Sequence, residues 1–152
     1  MPSILFVCLG NICRSPTAEA VFTKRAEAAG LKGLHIDGAG TGAWHAGNPP
    51  DRRATKHAAK RGYDLTPLRA RQVRESDFEE FDLIVAMDKS NLADLNAMAP
   101  AGSKAQIQLF LDYAPGGKKE VPDPYYGGDD GFEEVLDLVE AASDGLIKAL
   151  MK

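Results

Sequence analysis

Cys8, Arg14 and Ser15 stand together in the run Cys8-Leu9-Gly10-Asn11-Ile12-Cys13-Arg14-Ser15-Pro16, directly after the apolar segment Ile4-Leu5-Phe6-Val7. A short apolar run of this kind reads as a strand buried on both faces of a parallel sheet. Ser15 followed by Pro16 reads as a helix start, a hydroxyl N-cap and then a proline at the first helical position. The residues between must make a tight loop. Gly10 and Asn11 suit it because both tolerate backbone conformations that other residues avoid. Successive N–H groups can then point inward and attract an anion at the helix N-terminus. Arg14 adds a planar fork able to hold two oxygens of one phosphate. A thiol beside a helix N-terminus and a cation has its pKa lowered from roughly 8.5 to about 3.5–7.5. Cys8 is therefore expected as a thiolate that attacks phosphorus and forms a cysteinyl-phosphate, with Ser15 donating a hydrogen bond to its sulfur. The plainer alternative for Cys8 is a small buried hydrophobe at a strand end. A nucleotide-binding Walker loop is excluded because the loop contains no lysine.

A thiolate that attacks a phosphate ester needs a proton donor for the leaving oxygen. Asp123 is the candidate, in Val121-Pro122-Asp123-Pro124-Tyr125-Tyr126-Gly127-Gly128. Flanking prolines stiffen the segment and hold the carboxyl in one direction. Once deprotonated, the same group can activate the water that hydrolyses the intermediate. The alternative is an ordinary turn aspartate. Trp44, Tyr125 and Tyr126 are candidate walls for a flat aromatic leaving group, or plain half-buried rim residues. Asp88 and Asn91 are expected to cap and position a helix. Arg52 and Arg53 read as a solvated helix face, with anion steering as the alternative.

These groups need a scaffold, and the remaining pattern supplies one. Thr17–Ala29 is rich in helix formers and stops at Gly30. Leu34–Asp37 reads as a strand before the glycine-rich stretch 38–47, and 51–60 as a helix closed by Gly62. Ser76–Phe81 reads as a short helix capped by Ser76, Asp82–Met87 as a strand, Ser90–Met98 as a helix and Ile107–Phe110 as a fourth strand. Phe132–Leu150 carries Val135, Leu138, Val139, Ala142, Leu146 and Leu150 at helical spacing. The alternation predicts an α/β fold: a four-stranded parallel sheet with helices on both faces and a phosphate-binding loop after the first strand. Ligands of such sheets bind beyond the carboxyl ends of the strands, where Cys8 lies.

With 152 residues and 44% hydrophobic content, a single domain over 1–152 is expected. The net charge of −4 and the lack of a basic run give no support to nucleic-acid or membrane-surface binding. No basic leader with a long apolar stretch opens the chain, and no segment approaches the ~20 apolar residues of a membrane span, so a cytoplasmic location is expected. Cys8 and Cys13 with His35, His45 or His57 would make only half a zinc site, and no second pair has ligand spacing. Neither metal nor cofactor is expected. Cys13 is either a packing residue of the loop or, under oxidation, a disulfide partner for Cys8.

The run Val7–Pro16, together with Gly47-Asn48-Pro49-Pro50-Asp51, Ala70-Arg71-Gln72 with Asp77-Phe78, Phe81-Asp82-Leu83-Ile84 with Met87-Asp88, and Asp123-Pro124-Tyr125-Tyr126-Gly127, resembles the low-molecular-weight protein tyrosine phosphatases. The resemblance covers essentially the whole chain and implies a cofactor-independent hydrolase acting on phosphotyrosine-containing proteins. It implies Cys8 as nucleophile, Arg14 as phosphate clamp and Asp123 as general acid and later base. It also implies Leu9 to Cys13 and Ser15 as the phosphate-binding loop, Asn11 as its brace, Ser15 as a stabiliser of the thiolate and Cys13 as the protective disulfide partner. A monomer is expected, with weak self-association allowed. Mammalian members carry a serine and a histidine that help brace the loop asparagine. Gly38 and Leu68 stand at the matching positions here, so a reduced or differently built brace is expected. Ile12 favours phosphotyrosine, since the similar bacterial arginine phosphatases tend to carry threonine there. Thioredoxin-coupled arsenate reductases need further cysteines, and this chain has only Cys8 and Cys13. A phosphate-binding module without turnover is the alternative from outside enzymology.

Overall fold

Alternation within the first strand sets the layout of the whole molecule. Ile4, Phe6 and Cys8 face one hydrophobic cluster, while Leu5 and Val7 face another. A strand with apolar residues on both faces must be covered on both. The computed structural model describes residues 2–125 and 127–152, so the expectations for Tyr126 lie outside the described residues. Its elements in order are β1 (Ser3–Cys8), α1 (Arg14–Ala28), β2 (His35–Gly40), α2 (Arg52–Lys60), α3 (Asp77–Glu80), β3 (Leu83–Ala86), α4 (Lys89–Met98), β4 (Gln106–Leu109), a 3-10 turn (Phe110–Tyr113) and α5 (Asp129–Leu150).

The sheet has four strands in the order β2-β1-β3-β4, all parallel, as expected. Apolar positions of α1, α2 and α5 cover one face, centred on Phe6, whose ring meets Phe22 and Phe110. Phe78 of α3 and Leu95 of α4 cover the other. The chain places β2 on one side of β1 and β3 on the other, so a topological switch point falls at the carboxyl end of β1. Cys8 is the last residue of that strand. Among the described residues no helix is long and apolar enough to cross a membrane.

Several boundaries differ from the sequence reading. β2 runs on through the glycines to Gly40, pairing residue by residue with β1 up to Cys8. Gly40 is needed there: a Cβ on it would stand 2.7 Å from the Leu9 carbonyl and 3.1 Å from the Asn11 nitrogen, so the loop after β1 lies directly on it. Helix α1 begins at Arg14 with Cys13 as N-cap, two residues earlier than an N-cap at Ser15 would place it. Pro16 is still tolerated, because the first N–H groups of a helix have no internal partner. Ser76 occupies the N-cap of α3, but its side chain makes no capping bond. The turn is held instead by Asp77, which accepts the Arg74 N–H at 2.8 Å. Helix α5 starts at Asp129 rather than Phe132, and Asp129 and Asp130 in its first turn complement the helix dipole. Leu138 and Leu150, expected in its core stripe, are only partly buried.

Candidate active site

The loop between β1 and α1 is turned so that its carbonyls face outward. The carbonyls of Cys8, Leu9 and Ile12 accept backbone N–H groups of Thr41, Gly42 and Asp51 at 2.9, 2.9 and 2.8 Å. In a trans peptide the following N–H points the opposite way, so those of Leu9, Gly10 and Cys13 face inward. Asn11 alone among the described non-glycine residues has a positive φ, 57°. That left-handed step suits asparagine and aims its own N–H at Cys8 Sγ, 3.2 Å away.

Cys8 Sγ also lies 3.1 Å from Ser15 Oγ. The direction of that bond follows from the network behind it. Arg71 N–H donates to Asn11 Oδ1 at 3.1 Å, so the other end of the amide, Nδ2, donates to Ser15 Oγ at 2.7 Å. The Ser15 hydroxyl proton is then left for the sulfur. Ser15 is thus not the helix N-cap expected from the sequence; its hydroxyl is spent on Cys8 and Asn11.

Asn11 is therefore braced, although glycine at 38 and leucine at 68 offer it no polar side chain. The brace is a main-chain N–H of the segment Ala70-Arg71-Gln72, which β2 anchors through Gly40 N–H to Arg71 O and Val73 N–H to Gly40 O, both 2.8 Å. The Arg71 side chain fixes the segment further by binding Asp77 at 2.9 and 3.0 Å and Asp37 at 3.1 and 3.2 Å. The room left by Gly38 is filled by Glu19, whose Oε1 would stand 2.8 Å from a Cβ at that position, with Asn11 Nδ2 at 3.1 Å. Burial, reinforced by Asp37 and only partly offset by Arg71, raises the Glu19 pKa from 4.5 to about 7.

Arg14 is 3% exposed and crosses from α1 to the ends of other elements. Its Nη1 donates to Asp88 Oδ2 at 2.6 Å and to the Val121 carbonyl at 3.0 Å, and its Nη2 lies 3.7 Å from Asp123 Oδ2. Burial opposes its charge, but Cys8, Asp88 and Asp123 outweigh that cost and raise its pKa. Asp88 does cap α4, through Asn91 N–H at 2.7 Å, and its second oxygen orients Arg14. The cap is expected from the sequence, whereas the bond to Arg14 is not among its expectations. The signal was available, since Asp88 follows the carboxyl end of β3.

Cys8, Leu9, Gly10, Ile12, Cys13, Arg14, Trp44, His45, Asp123 and Tyr125 line one cleft of about 320 Å³. Asp123 stands at its mouth, 42% exposed on its side chain, with Oδ1 accepting Tyr125 N–H at 3.0 Å. Trp44 is 73% exposed at the rim. His45, which the sequence reading considered only as a zinc ligand, lies over Gly10 and 6.2 Å from the Tyr125 ring. Cys13 is buried beside Cys8, and both are free thiols. Burial first, then Asp51, Cys8 and Asp123, push the Cys13 pKa up, which keeps that thiol protonated at neutral pH. Arg53 keeps the solvent exposure expected of it, 42% on its side chain, but is not free: it binds Asp51 and the Tyr125 carbonyl.

Fold and cleft define a parallel α/β protein that can hold a tetrahedral anion over a thiol, between an inward ring of N–H groups and a buried guanidinium. A family model described as low molecular weight phosphotyrosine protein phosphatase matches residues 3–152. The low molecular weight phosphotyrosine protein phosphatase of Schizosaccharomyces pombe is 50% identical over 150 residues, covering 97% of this chain and 96% of the relative. The low molecular weight protein-tyrosine-phosphatase of Streptomyces coelicolor is 51% identical over 152 residues, covering 97% and 92%. A crystal structure of protein tyrosine phosphatase from Entamoeba histolytica, with Hepes in its active site, superimposes with a TM-score of 0.95 at 42% identity, over 99% of this chain and 97% of that one. The chain belongs to the low molecular weight phosphotyrosine protein phosphatase family.

Proposed function

We propose that the protein hydrolyses phosphotyrosine in phosphoproteins, and small aryl phosphates, through a cysteinyl-phosphate, with Cys8 as nucleophile, Arg14 as phosphate clamp and Asp123 as acid and then base. The observation that carries this reading is the meeting of Cys8, Arg14 and Asp123 in one cleft, with the Asn11 N–H donating to Cys8 Sγ and the Ser15 hydroxyl 3.1 Å from it. The phosphate sits in the ring of loop N–H groups, its charge matched by Arg14. Cys8 Sγ attacks phosphorus in line with the ester oxygen, and Asp123 gives that oxygen its proton as the P–O bond breaks. Asp123, now a carboxylate, takes a proton from water as the water attacks the cysteinyl-phosphate. Cys8 leaves as a thiolate, received by the Ser15 hydroxyl and the Asn11 N–H.

The apolar parts of the cleft, Leu9, Ile12, Trp44 and Tyr125, suit an aromatic ring above the phosphate. No role is needed for a metal or organic cofactor in this sequence of steps. Hydrolysis of p-nitrophenyl phosphate that survives a chelator and disappears in Cys8→Ser is expected, while that variant still binds vanadate. Turnover retained by Cys8→Ser would refute the mechanism, and vanadate binding without hydrolysis by the wild type would leave only a phosphate-binding module. Asp123→Asn should lose far more kcat/KM with phenyl phosphate than with p-nitrophenyl phosphate, by a margin within the ~10²–10⁴-fold that a general acid contributes.

A further inference from the structure

Residues 122–128 carry Asp123 yet belong to no helix or strand among the described residues. Upstream the segment is tied to the sheet, where Val121 N–H donates to the Met87 carbonyl at 2.8 Å and the Val121 carbonyl accepts from Arg14. Beyond Asp123 the Gly127 N–H closes a turn onto the Pro124 carbonyl at 3.0 Å. The carbonyls of Tyr125 and Gly127 are handles by which the rest of the protein can hold this turn.

Arg53 takes those handles. Its Nη2 donates to the Tyr125 carbonyl at 2.7 Å and its Nη1 reaches the Gly127 carbonyl at 3.4 Å. The guanidinium lies over the Phe132 ring at 4.8 Å and the Tyr125 ring at 5.7 Å. Asp51 fixes the arginine from behind, with Oδ2 3.3 Å from Nη2 and Oδ1 accepting the Arg53 N–H at 2.8 Å. Asp51 in turn donates its own N–H to the Ile12 carbonyl of the phosphate loop at 2.8 Å. A continuous chain of bonds therefore runs from Ile12 through Asp51 and Arg53 to Tyr125, whose N–H holds the Asp123 carboxyl.

We propose that Arg53 is a positioning residue for the proton-transfer step: it sets the distance between the phosphate loop and the Asp123 carboxyl by gripping the backbone of Tyr125 and Gly127. The proposal rests on the phosphatase reading given above and adds to it the device that keeps nucleophile and acid in register. The effect of a misplaced acid is selective. An aryl phosphate with a poor leaving group needs the proton, whereas one with a good leaving group departs largely without it. A residue that merely supported the fold would affect both esters alike and weaken anion binding as well.

The test compares wild type, Arg53→Ala and Arg53→Lys, each also in the Asp123→Asn background, with vanadate affinity measured in parallel. For Arg53→Ala, kcat/KM for phenyl phosphate should fall roughly tenfold and that for p-nitrophenyl phosphate by less than about threefold, with vanadate affinity held. Arg53→Lys keeps one donor for the Tyr125 carbonyl and should recover part of the loss. In Asp123→Asn, adding Arg53→Ala should cost less than about twofold, because the group it positions is already disabled. Equal losses for the two esters, a full additional loss in Asp123→Asn, or unchanged kinetics would each overturn the positioning role while leaving the phosphatase reading intact. Absence of hydrolysis by the wild type itself would overturn both. Should Arg53→Ala fail to fold, Arg53→Gln carries the same comparison with one donor group retained.

Discussion

Replacing Glu19 with glutamine removes a titration that the fold makes unfavourable. Glu19 sits on α1 in the space beside Gly38, near Asn11 Nδ2 and close to Asp37, and its pKa is raised from 4.5 to about 7 by burial first and Asp37 second. The folded state therefore holds this proton more tightly than the unfolded chain. Between those two pH values the native protein binds more protons than the unfolded one, so stability falls as pH rises. The contribution is fully present below about pH 4.5 and is lost as pH passes through about 7. At 1.36 kcal/mol for each pH unit of that gap the bound is about 3 kcal/mol, and partial access to water reduces the expectation to ~1–2 kcal/mol. Glutamine keeps the shape and does not titrate. Urea unfolding of both proteins at about pH 5 and about pH 8 reads the effect as a difference of free energies, in which the other titrating groups cancel. Near pH 5 the two should agree closely; near pH 8 Glu19→Gln should be the more stable. A difference that stays constant across this range would refute the assignment of the raised pKa to Glu19.

Two further outcomes follow from the surroundings of Arg14 and of the two thiols. Asp88→Asn keeps a good cap for α4 but removes the charge that orients Arg14, so kcat/KM should fall roughly ten- to a hundredfold, matching the ~1.5–3 kcal/mol of hydrogen bonds to charged groups, while the melting temperature changes little. A melting temperature that collapses with activity would show that the residue matters for α4 rather than for Arg14. Carboxymethylation by iodoacetate at about pH 7 should reach Cys8, be slowed by inorganic phosphate, and spare Cys13, whose thiol is held protonated by burial and neighbouring carboxylates. Peptide mapping that finds Cys13 modified first would contradict that difference.

Much of this molecule was legible one residue at a time. The apolar run of β1, the left-handed tolerance of Asn11 and the fork of Arg14 are local properties, and they led to a loop that the structure shows with carbonyls outward and Cys8 at its floor. The alternation of strands and helices gave the parallel sheet for a similar reason: the two central strands, β1 and β3, are apolar on both faces and require cover on both. Boundaries were less legible. β2 extends into a glycine-rich stretch because Gly40 must let the loop lie against it, and spacing in the sequence does not show what a glycine has to make room for.

The sequence by itself determined the chemistry available to the protein: a cysteine at a strand end, an arginine at the helix start, and an aspartate stiffened by prolines. Local covalent geometry and residue type suffice for that. Only the tertiary structure decided how those groups are held. Asn11 is braced by the main-chain N–H of Arg71, an interaction that any residue type but proline at that position could offer. Arg14 is oriented by Asp88, and the segment bearing Asp123 is gripped by Arg53 through backbone carbonyls. The contacts of Asn11 with Arg71 and of Arg53 with Tyr125, made to the backbone of residues distant in the chain, leave no mark in side-chain pattern. They exist because the sheet brings the carboxyl ends of its strands together at one switch point, and that convergence is a property of the folded chain.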